Sequence, residues 1–108
     1  MSISRYTTPD LTLTIPNTTE PDLTEAENVY VTFADGNKEI YTKTGDDLIV
    51  TAYSVDVYLS QEETAAFRTG RITVTMNWTY HEGSRVKRAK AGPAKIEIED
   101  NALKRVVE

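Results

Sequence analysis

The side chains able to do chemistry are few, and their spacing argues against a reaction. The chain has one histidine, His81, and no cysteine. A nucleophilic triad needs a base beside a serine, cysteine or threonine. His81 stands between Tyr80 and Glu82 in a predicted turn, where an exposed loop histidine is the simpler reading. One imidazole without a thiolate also leaves zinc short of its usual ligands. Carboxylates occur as neighbours, Asp46-Asp47 and Glu62-Glu63, but adjacent strand residues point to opposite faces and share neither a proton nor an ion. Asp35-Gly36-Asn37 lacks the further oxygen ligands and terminal glutamate of a calcium loop. The five glycines are too scattered to cradle a phosphate. The sequence therefore predicts no catalytic residue, no metal ligand and no cofactor, and places the chain among proteins that bind or build.

What remains is surface chemistry. Arg85, Lys87, Arg88 and Lys90 form the one basic cluster, and strand alternation puts Arg85 and Lys87 on one face with Arg88 and Lys90 on the other. Such a strand either guards a sheet edge against aggregation or receives an acidic protein surface. Tyr30, Tyr41, Tyr53, Tyr58 and Tyr80 offer a flat amphipathic surface for protein contact or sugar stacking if several share an outer face; otherwise they pack sideways on their strands. Trp78 extends an inward face and reads as core, with a sugar-stacking platform as the alternative. Leu103, Val106 and Val107 sit at helical spacing in a tail too short to be a stable isolated helix, so they should pack on the domain or on a partner. The candidate partner-binding residues are thus Tyr30, Tyr41, Tyr53, Tyr58, Arg85, Lys87, Leu103, Val106 and Val107.

A net charge of −5 repels phosphates and anionic headgroups, so neither nucleic acid nor a membrane surface is the expected partner. No stretch approaches the apolar length of a transmembrane helix. Residues 1–9 lack the apolar core of a signal peptide. The expectation is a soluble protein not secreted by the standard route.

The elements that must position these residues are strands. Threonine, valine, isoleucine and tyrosine alternate with period two over residues 11–15, 29–33, 39–43, 47–51, 54–59, 71–80 and 85–98, the pattern of strands with one buried face. Asp35-Gly36-Asn37 suits a tight hairpin, with glycine and asparagine supplying positive φ. Ser60-Gln61-Glu62-Glu63 is a capping box, predicting a short helix over 60–67 that Gly70 ends. Gly92-Pro93 interrupts the last strand, as a bulge or edge position does. About seven short strands with regular turns imply one two-sheet sandwich over 1–108, with a flexible segment at 1–9 and an amphipathic tail at 100–108 able to form a helical turn.

Four segments carry a resemblance: Thr7-Thr8-Pro9 before the first strand, residues 22–29 before the second, Lys43-Thr44-Gly45-Asp46-Asp47-Leu48 at a turn, and Leu59-Ser60-Gln61-Glu62-Glu63-Thr64 at the short helix. In this order, over most of the chain, they resemble small tail- and baseplate-associated proteins of phages and prophages of Gram-positive bacteria, and the N-terminal domain of upper baseplate proteins. The resemblance implies an immunoglobulin-like β-sandwich with a structural or assembly role in a virion. It implies partners among other tail or baseplate proteins, or a second copy of the chain. Synthesis would be in the bacterial cytoplasm, with a final place in the virion tail. It carries over no catalytic residue. The chain departs from the upper baseplate pattern in lacking a long helical or receptor-binding extension, which favours an accessory or adaptor. A carbohydrate-binding module for cell-wall glycans is the alternative, and it requires Trp78 and the tyrosines on one exposed face.

Overall fold

Alternation along each strand divides the apolar residues between two facing sheets. The computed structural model describes residues 2–108. The strands are β1 (Ser2–Ser4), β2 (Asp10–Thr14), β3 (Asn28–Asp35), β4 (Lys38–Thr44), β5 (Leu48–Val50), β6 (Ser54–Tyr58), β7 (Gly70–Glu82) and β8 (Arg85–Glu99), with an α-helix, α1 (Gln61–Ala65), and short 3-10 turns at Leu23–Glu25 and Gly45–Asp47. The larger sheet has the order β1-β8-β7-β3-β4 and the smaller β2-β6-β5. Read in immunoglobulin letters, β2, β6 and β5 take positions B, E and D, while β8, β7, β3 and β4 take G, F, C and C′. The fold is an all-β, immunoglobulin-like sandwich. Leu11, Val55 and Val57 from the smaller sheet and Val31, Ile72, Val74, Trp78 and Ile96 from the larger join one buried core. With no cysteine in the chain, packing rather than a disulfide joins the sheets.

Turn chemistry follows the sequence closely. Gly36-Asn37 joins β3 to β4, with Asp35 opposite Lys38 and φ of +64° at Gly36. Glycine alone takes the positive φ here, which is the type II′ pattern; Asn37 stays on the ordinary side, contrary to the expectation that both would cross. Gly83-Ser84 repeats the arrangement between β7 and β8, where Glu82 faces Arg85. The capping box forms: the Ser60 hydroxyl accepts from the Glu63 amide at 3.2 Å, and the Glu63 carboxylate accepts from the Ser60 amide at 2.9 Å.

The helix ends two residues before the predicted Phe67, whose ring instead closes one end of the core. Phe67 stacks on Tyr41 at 5.5 Å between centroids and tilts against Phe33 at 5.6 Å. Thr64 on α1 is fully buried and ties down the N-terminal crossover. Its hydroxyl accepts from the Thr7 amide at 3.0 Å and donates to the Thr7 carbonyl at 2.8 Å. Thr64→Val keeps the shape but leaves both groups unpaired, at an expected cost of about 1–3 kcal/mol in urea-unfolding stability. A variant as stable as the parent would show that the crossover is not held this way.

Both termini differ from expectation. Residues 2–4 are a strand rather than a flexible segment, because β1 runs parallel to β8 with Ile3 opposite Ile98 and Ile3 buried. The tail beyond Asp100 forms no helical turn; so few residues do not recover the cost of helix nucleation. The Gln61 side chain holds it by a pair of bonds, accepting from the Val107 amide at 2.9 Å and donating to the Val107 carbonyl at 2.6 Å. The radius of gyration is 15.0 Å, above the roughly 13 Å of a compact chain of this length. The long β7–β8 hairpin accounts for the excess: Tyr80, His81 and Glu82 extend past Thr79, the last β7 residue paired with β3.

Candidate protein-docking site

The site is the flank of the sandwich where β8, outside its short pairing with β1, borders the larger sheet and β2 borders the smaller. Among the described residues β1 pairs with β8 at Glu97, Ile98 and Glu99 and no strand pairs with the other side of residues 85–95, an edge about 36 Å long at 3.3 Å per residue. Above it, among the described residues, β6 is the one strand neighbour of β2. A cleft of 210 Å³ opens between the two edges, lined by Thr12, Leu13 and Thr14 of β2, Val74 and Met76 of β7, and Ala91, Gly92 and Ala94 of β8. In immunoglobulin-like sandwiches a first strand beside B covers this flank; here the first described strand, β1, lies beside β8 at residues 97–99.

Local sequence interrupts the regularity of this edge at one place. The pairing of β7 with β8 shifts between Val74 and Met76, opposite Gly92-Pro93. Gly92 has φ of +96°, and a Cβ there would lie 3.1 Å from the Val74 carbonyl oxygen, so only glycine fits. Pro93 has no donor to offer a neighbouring strand. The register places Lys87, Ala89, Ala91, Ala94 and Ile96 beside the inward residues Tyr80, Trp78, Met76, Val74 and Ile72. Arg88 and Lys90 lie on the outer face beside Thr79 and Asn77.

Charge is concentrated on this strand. Arg85, Lys87, Arg88, Lys90 and Lys95 fall within residues 85–95, which contain no carboxylate; the rest of the chain holds the other seven cations and all seventeen carboxylates, a balance of −10. Among the described residues none of these five cations forms an ion pair. Only Arg88 has a side-chain partner, donating to Asn77 Oδ1 at 3.1 and 3.2 Å. Val86 at the hairpin tip is 65% exposed.

The other candidate residues do not gather. Tyr30 lies on the outer face of the larger sheet, beside Thr44 and Asn77. Tyr41 turns inward against Phe33 and Phe67. Tyr53 is half-buried, its carbonyl accepting from the Ile15 amide. Tyr58 is 64% exposed on the outer face of the smaller sheet, where a groove of 550 Å³ is lined by Ile49, Asp10, Asp46, Asp47 and Asp56. The tyrosines thus share no common face, and Trp78, 4% exposed, is core and offers no stacking platform. Leu103, Val106 and Val107 are nearly half exposed along the tail. Removing residues 100–108 deletes the Gln61–Val107 bonds and the Arg5–Asp100 ion pair. The expected cost is about 1–2 kcal/mol, with no change in oligomeric state by light scattering. Unchanged melting would show the tail to be idle.

Elsewhere the polar groups serve the fold. His81 Nδ1 contacts the Glu27 carboxylate at the surface. Lys43 reaches Glu63 Oε2 at 2.5 Å. Burial, with the Glu63 carboxylate nearby, pushes the Tyr41 phenol well above its usual range. Among the described residues no group of three His, Asp or Glu side chains is placed to hold a metal ion, no buried side-chain nitrogen or oxygen lacks a partner, and no helix is long and apolar enough to cross a membrane. The open flank was only half legible beforehand. The basic cluster and Gly92-Pro93 marked an edge; the cleft needed β2, some 80 residues earlier, to be placed beside it.

The chain matches no protein-family model, no curated protein and no solved structure.

Proposed function

We propose that this protein is a non-enzymatic structural or accessory component of a phage or prophage tail, an adaptor that works by docking other tail or baseplate proteins. The observation that carries the docking part is the β8 edge over residues 85–95, which has no described strand partner on its outer side and carries five cations beside an apolar cleft. An exposed edge of this length is a template for another chain, and its backbone groups offer affinity that does not depend on a catalytic centre. The placement in a virion rests on the sequence resemblance. Made in the bacterial cytoplasm, the protein would end in the assembled tail.

The test is mass spectrometry of gradient-purified particles from an induced culture of the strain that encodes the chain. Its peptides are expected in the particle fraction at a fixed ratio to the major tail protein. Recovery only in the soluble lysate would overturn the virion placement.

A further inference from the structure

We infer that the open flank takes an added β-strand from an acidic segment of another protein, in which acidic and apolar residues alternate. The inference rests on the docking reading of this flank and not on a virion origin. Three features converge on such an occupant. Among the described residues no strand pairs with the outer side of β8 from 85 to 95, and up to the bulge at Gly92 and the missing amide of Pro93 an extended chain can continue the sheet. The cleft beneath it is floored by Val74 and Met76 and walled by Leu13 and Ala91; small residues on β8 leave room for the inward side chains of a new strand. On the outer face Arg88 and Lys90 stand without a carboxylate partner. Side chains of an added strand alternate between these two environments. Its inward residues should therefore be aliphatic and its outward ones aspartate or glutamate, since opposite charges on neighbouring strands stabilise a pair and like charges oppose it.

The same arithmetic argues against a second copy on this edge. Pairing β8 with β8 would bring two cationic strips together without a carboxylate between residues 85 and 95 of either. The cations that repel a twin select an acidic strand.

A fluorescein-labelled octapeptide alternating Glu and Val is the probe, with Lys/Val and Glu/Gly octapeptides as controls and the full chain as receptor. The Glu/Val peptide is expected to bind at least ten times more tightly than either control in fluorescence anisotropy. It should slow hydrogen exchange of amides within 85–95. The double variant Arg88→Glu with Lys90→Glu, both exposed and outside the core, should retain its far-ultraviolet spectrum and lose at least tenfold in affinity. Absence of binding would overturn the inference. So would equal binding of the Glu/Gly peptide, which would reduce the effect to charge alone, or protection that maps to β4 or to the groove beside Tyr58. Protection of 85–95 that grows with protein concentration and needs no peptide would assign the edge to a second copy instead. The particle experiment can fail while this one succeeds, so the two readings are separable.

Discussion

Phe33→Ala is expected to remove about 3–5 kcal/mol of stability, a large share of the 5–15 kcal/mol that holds a domain of this size. Phe33 is fully buried, and its ring meets both Tyr41 at 5.3 Å and Phe67 at 5.6 Å. Those three rings come from β3, β4 and the segment after α1, so they join the larger sheet to the connection that crosses between sheets. Truncation leaves a hole that cannot collapse, because β3 is held on both sides by β4 and β7. At about 4–8 °C per kcal/mol, the melting temperature should fall by at least about 12 °C. Tyr41→Phe is the matched comparison. The Tyr41 hydroxyl donates to the Glu63 carbonyl at 3.4 Å, a long bond, and the ring stays in place, so the change should stay within about 1 kcal/mol. Calorimetry on the two variants checks both, and equal losses would show that the trio is not the anchor described.

The residues that revealed the fold are those whose environment is set by strand parity. Ile72, Val74, Met76 and Trp78 alternate with Thr73, Thr75, Asn77 and Thr79, and all four apolar members are buried. Ser60 and Glu63 are equally legible because a capping box is complete within four residues. What was hidden depends on contacts between distant parts of the chain. The three residues of β1 become a strand only because β8, more than ninety residues later, offers an edge. Tyr30 and Tyr41 carry similar local signals yet face opposite ways, since each follows the parity of its own strand. Leu103, Val106 and Val107 have helical spacing without helical length, and spacing alone does not repay nucleation. The flank is hidden for the same reason as β1: no local pattern states that Ser2–Ser4 lie beside residues 97–99 and that 85–95 have no described strand partner on that side.

Lys43→Met should reverse its effect between neutral and acid pH. Lys43 pairs with Val31 in the β3–β4 register, is 8% exposed, and carries its ammonium to Glu63 Oε2. A reader of sequence would send this lysine to solvent; the partner that admits it lies twenty residues on, in α1. Burial pushes the Glu63 carboxyl up, but bonds from Lys43 and the Ser60 amide outweigh it and hold the group below its ordinary value of 4.5. A carboxyl lowered by folding stabilises fully above its ordinary value, and that contribution is lost as pH falls through the folded one. At neutral pH Lys43→Met strips the carboxylate of its counter-ion. The expected loss is about 1–3 kcal/mol, kept below that of a fully enclosed pair because water reaches the Glu63 side chain. Below the folded value Glu63 is protonated, and the parent then holds a nearly enclosed ammonium with no anion beside it, a cost that methionine avoids. The two stabilities should converge as pH drops below 4.5 and then cross. Adding Glu63→Gln to Lys43→Met should recover part of the neutral-pH loss, since the amide oxygen still accepts from Ser60 and no unpaired charge remains. Urea midpoints for the three proteins across this range measure it directly; a difference that stays constant with pH would mean that the Lys43–Glu63 contact contributes packing and not charge.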